Sequence, residues 1–168
     1  MATRRIPVLG WPTIPDTSGN CFLEPYTIKS TNDVWGRQVV IFNDSGTRVG
    51  LRGGFTMPKD YVGSPVIVVV WTSTATSGNV VWDFDYRAVG GNDAESLDQT
   101  GTQEAVTVTD AAPGAAHRRL EATMALTAGN LAVDDEVEFE VFRDGVSASD
   151  TMAAAAILFQ LLLEYTDA

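Results

Sequence analysis

The chain has one cysteine, one histidine and no long apolar run, and each scarcity removes a class of function. With Cys21 alone no intrachain disulfide can form, and Cys21 and His117 together cannot make a zinc site. A fold formed in a reducing cytosol is expected, with no bound metal and no cofactor. The longest lipid-like run, Met152 to Leu163, is twelve residues interrupted by Gln160, against the ~20 that a spanning helix needs. Pro7, Gly10 and Pro12 break up the segment after Arg4 and Arg5, so no secretory leader is expected. Positive charge is also short: eleven Lys and Arg face twenty-two Asp and Glu, a net charge of −11. Residues 1–60 carry a net +2, so the acidity belongs to the later part of the chain. Such a surface repels phosphate backbones and anionic lipid, which excludes nucleic acid and membrane as partners.

What is present is enough for a core. Hydrophobic residues make up 45% of the chain and charged ones 20%, so the body is expected to fold as one domain. Residues 1–20 show no period. Pro7, Pro12, Pro15, Gly10 and Gly19 impose an extended arm, yet it carries Ile6, Val8, Leu9, Trp11 and Ile14, more apolar area than a solvated tail keeps. With Arg4 and Arg5 these residues are expected to grip either the domain or a neighbouring subunit.

From Cys21 on, short runs of Val, Ile, Phe, Tyr, Trp and Thr alternate with turn clusters, which predicts strands over 21–28, 37–42, 48–56, 65–72, 79–88, 103–109, 117–127, 135–143 and 153–165. Alternation assigns the faces. Trp82, Phe84 and Tyr86 oppose Asp83, Asp85 and Arg87; Val137, Phe139 and Val141 oppose Glu136, Glu138 and Glu140. Turns at Ser77-Gly-Asn79, Gly90-Gly-Asn92 and Arg143-Asp-Gly145 favour hairpins, and no ten-residue amphipathic crossover is present, so pairing is expected to be antiparallel. The resulting fold is an all-β, antiparallel β-sandwich over residues 21–168. Two runs are apolar on both faces, Val66 to Trp71 and the last one, where Leu158 and Leu162 oppose Ile157, Phe159, Leu161, Leu163 and Tyr165. Either the arm or a second copy is expected to cover them, with Ile67, Val69, Trp71, Leu158 and Leu162 as the subunit contact. For the last run a helix competes, because Ala153 to Ala156 and the leucines are good helix formers.

Candidate chemistry is sparse. His117 falls on the wet face of its predicted strand, away from any nucleophile, and Cys21 precedes Phe22 and Leu23 with no base nearby, as a buried inert thiol does. Asp83 with Asp85, or the three glutamates 136, 138 and 140, pair carboxylates on one face but on solvated faces, where a hydrolase acid does not hold its proton. Asp144-Gly-Val-Ser-Ala-Ser-Asp150 could offer oxygens to a cation, but a hairpin turn explains the same residues. Gly50-Leu-Arg-Gly-Gly54 is a Gly-rich stretch better read as a bulge or turn than as a phosphate loop. No catalytic residue is assigned.

The phrases Phe55-Thr-Met-Pro-Lys-Asp-Tyr, Val66 to Trp71, Thr76-Ser-Gly-Asn-Val-Val-Trp82 and Val141-Phe-Arg-Asp-Gly-Val-Ser-Ala-Ser-Asp-Thr151 with a closing strand ending Glu164-Tyr165 resemble the jelly-roll modules of structural proteins in tailed bacteriophages. The resemblance covers roughly residues 50–165. It implies a jelly-roll fold and a non-enzymatic virion role, either a capsid decoration (cement) protein, as a homotrimer on the major capsid protein, or the receptor-binding knob of a tail fibre or spike. No heptads or internal repeats of a fibre shaft are present, which favours the decoration role. The expected location is the capsid surface of a virion assembled in the host cytoplasm. On the alternative, loops such as 90–102 touch a host glycan.

Overall fold

The computed structural model describes residues 1–10, 20–29, 34–90 and 103–168. Among these are ten strands: β1 (Thr3–Pro7), β2 (Cys21–Lys29), β3 (Val34–Phe42), β4 (Arg48–Thr56), β5 (Tyr61–Thr72), β6 (Asn79–Val89), β7 (Glu104–Ala111), β8 (Leu120–Ala125), β9 (Glu136–Asp144) and β10 (Ala156–Asp167). They form two antiparallel sheets. One runs β2-β3-β10-β5-β8, with β1 also on β10, and the other β4-β9-β6-β7. The fold is a jelly-roll β-sandwich with an extended N-terminal arm. Between the sheets lie the apolar halves of the alternating runs: Trp82, Phe84 and Tyr86 from β6, Val137, Phe139 and Val141 from β9, and Ile67, Val69 and Trp71 from β5. Trp82 meets Phe42 edge-on at 5.2 Å and Trp71 at 5.9 Å, while Phe84 stacks on Phe139 at 5.2 Å. Each such side chain contributes on the order of 1.5–3 kcal/mol by leaving water.

The last run is a strand, and its doubly apolar character follows from its place. β10 is flanked by β5 on one side and by β3, then β1, on the other. Ile67, Val69, Trp71 and Leu158 are fully buried in the domain's own core, which corrects their expected role as a subunit contact. The second faces are covered within the chain too. Val68 and Val70 on the outside of β5 are 0% and 3% exposed. Arg5 on β1 bonds both Glu164 of β10 and Glu121 of β8, the strands either side of β5, and Glu121 also takes Arg119. Beside them Val39, Ile41 and Ile157 make a second small cluster with Phe22 and Phe159, and Arg37 sits over the Phe159 ring at 5.3 Å. Leu162, half-buried, is paired to Pro7 of β1 and Val68 of β5.

The arm grips its own domain. Residues 3–7 pair with 162–166, Val8 is buried in the main core, and Ile6 and Leu9 pack against it. Arg4 bonds Asp167 at 2.7 Å. The described arm residues Arg4, Arg5, Ile6, Val8 and Leu9 are thus engaged inside the chain; Trp11 and Ile14 lie outside the described residues. The carboxyl of Asp167 is held below its usual range by the Ala2 backbone N–H and then by Arg4, and that of Glu121 by Arg119 foremost and Arg5. Both are depressed in the folded state, so their contribution is complete above the ordinary carboxylate range and is lost as pH falls through the folded values. We expect β1 to loosen first in acid. Amide exchange corrected for intrinsic rates should rise at Arg4 to Ile6 before it rises at Ile67 to Val69, and a simultaneous rise would mean that these ion pairs do not hold the arm.

Two local features differ from the sequence expectation. The strand predicted from 117 begins at Leu120, because His117 takes a left-handed φ of +65° and donates its N–H to Ser73. Gly50 to Gly54 is neither a bulge nor a turn but the interior of β4. In the loop after β9 Asp150 meets Arg143. Its two oxygens take Arg143 at 2.7 and 3.0 Å, and one also accepts the N–H of Val81.

Candidate functional site

The outer face of the four-stranded sheet concentrates the polar side chains that the fold places but does not need for its core. In register, Phe142 of β9 lies between Gly50 of β4 and Asp83 of β6, and Asp83 lies beside Thr107 of β7. Gly50 is required there. A Cβ at this position would stand 2.3 Å from a Phe142 ring carbon, so only glycine lets the ring come down over β4. Arg48, two residues earlier on the same side, closes over that ring with its guanidinium 3.7 Å from the centroid.

From this seat the guanidinium reaches β6. It bonds Asp83 at 3.1 Å and Asp85 at 2.8 Å, and Asp83 also accepts the Thr107 hydroxyl at 2.7 Å. The two aspartates point to the outer side, as alternation predicts, but they are not solvated: Asp83 is 9% and Asp85 7% exposed. Burial alone would lower the Arg48 pKa, but the bonds to Asp85 and Asp83 outweigh it and hold the guanidinium above its usual range. Farther along, Arg52 pairs with Glu140, Arg87 bonds Glu138 at 2.6 Å, and the Thr56 hydroxyl bonds Glu136 at 3.0 Å. The face is therefore a lattice of paired, alternating charges beside one flat aromatic–guanidinium stack.

Chemically, the part of the face around Asp83 and Asp85 presents ordered groups with little side-chain entropy left to lose, while Arg52 and Glu138 keep the freedom of surface side chains. The two carboxylates serve as acceptors for Arg48 and act as its anchor; the glutamate ladder is likewise spent on Arg52, Arg87 and Thr56. Cys21 is a buried thiol of the core. Among the described residues no group of three potential metal ligands converges. Sequence reasoning sets Asp83 and Asp85 on this side but misses Arg48, Gly50 and Phe142. The signal is a Gly–Phe register across two strands about ninety residues apart, which one sequence does not disclose. Residues 91–102 of the loop expected to touch glycan lie outside the described residues.

No protein-family model and no curated protein matches the chain. Among solved structures it is similar to the CBM22-1 xylan-binding domain of Paenibacillus barcinonensis Xyn10C, with 10% identity and a TM-score of 0.52 over 99% of this chain and 94% of that one. It also matches the CBM35 of Cellvibrio japonicus Abf62 (11% identity, TM-score 0.46, 95% and 92% covered). A third match is the module CBM6cm-2 of Cellvibrio mixtus lichenase 5A, solved with cellotriose (14%, 0.44, 98% and 98%). At 10% identity the first of these shows a shared jelly-roll fold.

Proposed function

We propose that the chain is a non-catalytic binding module that takes a glycan along the outer face of its four-stranded sheet. The observation that carries this is the stack of Arg48 on Phe142 above two carboxylates that are almost fully buried on the outer side of the sheet. Sugars offer hydroxyls in fixed directions and flat C–H faces, and the Arg48 guanidinium, whose side chain is 37% exposed above the ring it covers, complements both with its plane and its donors. The fold shared with a xylan-binding domain supports the choice of ligand class.

Among the described residues the decoration role has less support: β1 is spent on β10, and the doubly apolar strands are covered within the chain. The resemblance to phage modules favours a glycan on a host surface, with the chain serving as a knob of a fibre or spike.

The test is affinity electrophoresis in gels cast with xylan, mannan, β-1,4-galactan or hydroxyethylcellulose. The wild type should be retarded by at least one polymer. Arg48→Lys keeps the charge but loses the planar fork that bonds two carboxylates and stacks on Phe142, so it should bind about tenfold more weakly. Arg119→Ala, on the other sheet, should run as the wild type. No retardation by any polymer, or equal retardation of Arg48→Lys, overturns the reading.

A further inference from the structure

Asp85 has one carboxylate oxygen more than the fold uses. Arg48 donates to Asp83 through Nε and to Asp85 through Nη2, and the other oxygen of Asp83 accepts the Thr107 hydroxyl. Among the described residues nothing donates to the second oxygen of Asp85, Oδ1, although this side chain is only 9% exposed. That oxygen is not sealed in: among the described residues the enclosed polar side-chain atoms without a partner are Tyr61 Oη and Trp82 Nε1. Charge is left over as well. Asp83 and Asp85 share the one guanidinium of Arg48, whereas Glu140 has Arg52 and Glu138 has Arg87. One negative charge on β6 thus lacks a counterpart, in a place that folding has already taken out of water, and a cation from outside satisfies both it and the open oxygen.

The approach lies open on one side. Asp85 stands between Glu140 of β9 and Ala105 of β7, all on the outer rows, and β7 is an edge of this sheet. Ala105 is exposed and ends in a methyl group, and Thr107 and Thr109, farther along the same row, are short and exposed too. A ligand can cross β7 and reach Asp85 without displacing a long side chain. On the β9 side is the stack of Arg48 on Phe142. Phe142 is paired to Asp83, and Asp85 is two residues, about 7 Å, farther along β6. That step is close to the length of one sugar residue, so a ring seated on the guanidinium brings a substituent of the next ring to Asp85.

An ammonium is the substituent that fits. It supplies the missing charge and up to three donors, whereas a hydroxyl supplies one donor and no charge, and a carboxylate or sulfate would meet Asp85 and Glu140 with like charge. We infer that Asp85 is an ammonium subsite: the glycan taken by this face carries a free amino sugar whose –NH3+ donates to Asp85 Oδ1. The inference rests on the glycan reading above and names the chemical class of its ligand.

The experiment is titration calorimetry of the full chain with three tetramers that share one β-1,4-linked backbone and differ at C2: cellotetraose with a hydroxyl, the glucosamine tetramer with an amine, and the N-acetylglucosamine tetramer with an amide. It is run at a pH that keeps the amine charged and at physiological ionic strength, where charges more than about 8 Å apart are largely screened. The glucosamine tetramer should bind about tenfold more tightly than either of the others. Asp85→Asn, which keeps an amide oxygen for Arg48 and turns the open oxygen into a donor, should erase that difference. Ala105→Lys should erase it as well by setting the chain's own ammonium beside Asp85, and an exposed edge position accepts lysine without harm to the fold. Asp134→Asn, an equal change of net charge at an exposed left-handed position that asparagine tolerates, should leave it in place. Equal binding of the three tetramers, a difference that survives in both Asp85→Asn and Ala105→Lys, or tetralysine bound as tightly as the glucosamine tetramer overturns the ammonium subsite while leaving the sheet-face reading intact. Binding of none of the tetramers also overturns the subsite, and retardation in the polymer gels then decides the sheet-face reading by itself.

Discussion

Arg143→Met should cost about 3–5 kcal/mol of unfolding free energy and lower the melting temperature by roughly 10–15 °C. Arg143 is fully buried and makes two bonds to Asp150, whose own side chain is 1% exposed. Its remaining donors satisfy the backbone carbonyls of Ala154 at 2.7 Å, Met152 at 2.5 Å and Phe42 at 3.4 Å. The guanidinium therefore pins the loop between β9 and β10 to the end of β3. Methionine fills much of the volume but leaves the Asp150 carboxylate with only the Val81 N–H, and several carbonyls without donors, in a dry place, and that is the expensive outcome. Asp150→Leu added to Arg143→Met should recover part of the loss, because an apolar pair of similar volume replaces a desolvated ionic one at little cost. Far-UV circular dichroism melts of both variants decide: a single variant within about 1 kcal/mol of the wild type would show that Arg143 does not hold this loop.

Gly50→Ala should destabilise by about 2–3 kcal/mol although it adds one methyl group to the interior of a strand. The new Cβ would lie 2.4 Å from the Val141 carbonyl oxygen as well as 2.3 Å from the Phe142 ring, and backbone oxygen cannot rotate away. β4 must shift or the ring must lift. Either change separates Phe142 from Arg48 and with it the anchor on Asp83 and Asp85. Denaturant unfolding should register the stability loss, and the same gels used for Arg48→Lys should show binding weakened at least as much. A variant with wild-type stability would mean that β4 has slack which the close approach of these atoms does not suggest.

The two-residue rhythm of the sequence carries most of the architecture. In β6 and β9 every inward and outward residue is where alternation puts it, because each strand sees the core on one side only. Alternation gives a side and not a depth. Asp83 and Asp85 do lie outside the core yet are buried, since their cover comes from Arg48, thirty-five residues from Asp83 in sequence. Arg143 continues the inward row Val137, Phe139, Val141, and a charge in that row seven residues before Asp150 is a legible sign of a buried pair. The run Val66 to Trp71 does need cover on both faces, but local sequence does not reveal that β10 brings β1 and Arg5 to it. β1 itself has no period to detect; it is a strand because β10 offers it an unpaired edge.

That dependence on β10 sets an order of events during synthesis. The strand flanked by β1, β3 and β5 leaves the ribosome after the other nine described ones, so until then β3 and β5 each hold an open edge that β10 will cover, and the first strand has nothing to pair with. Loop closure across all the intervening strands must come before the six-stranded sheet can form, which makes for slow, late folding. Through that interval the valines of β5 are exposed as a sticky template, and a folding helper in the cell would find its target there.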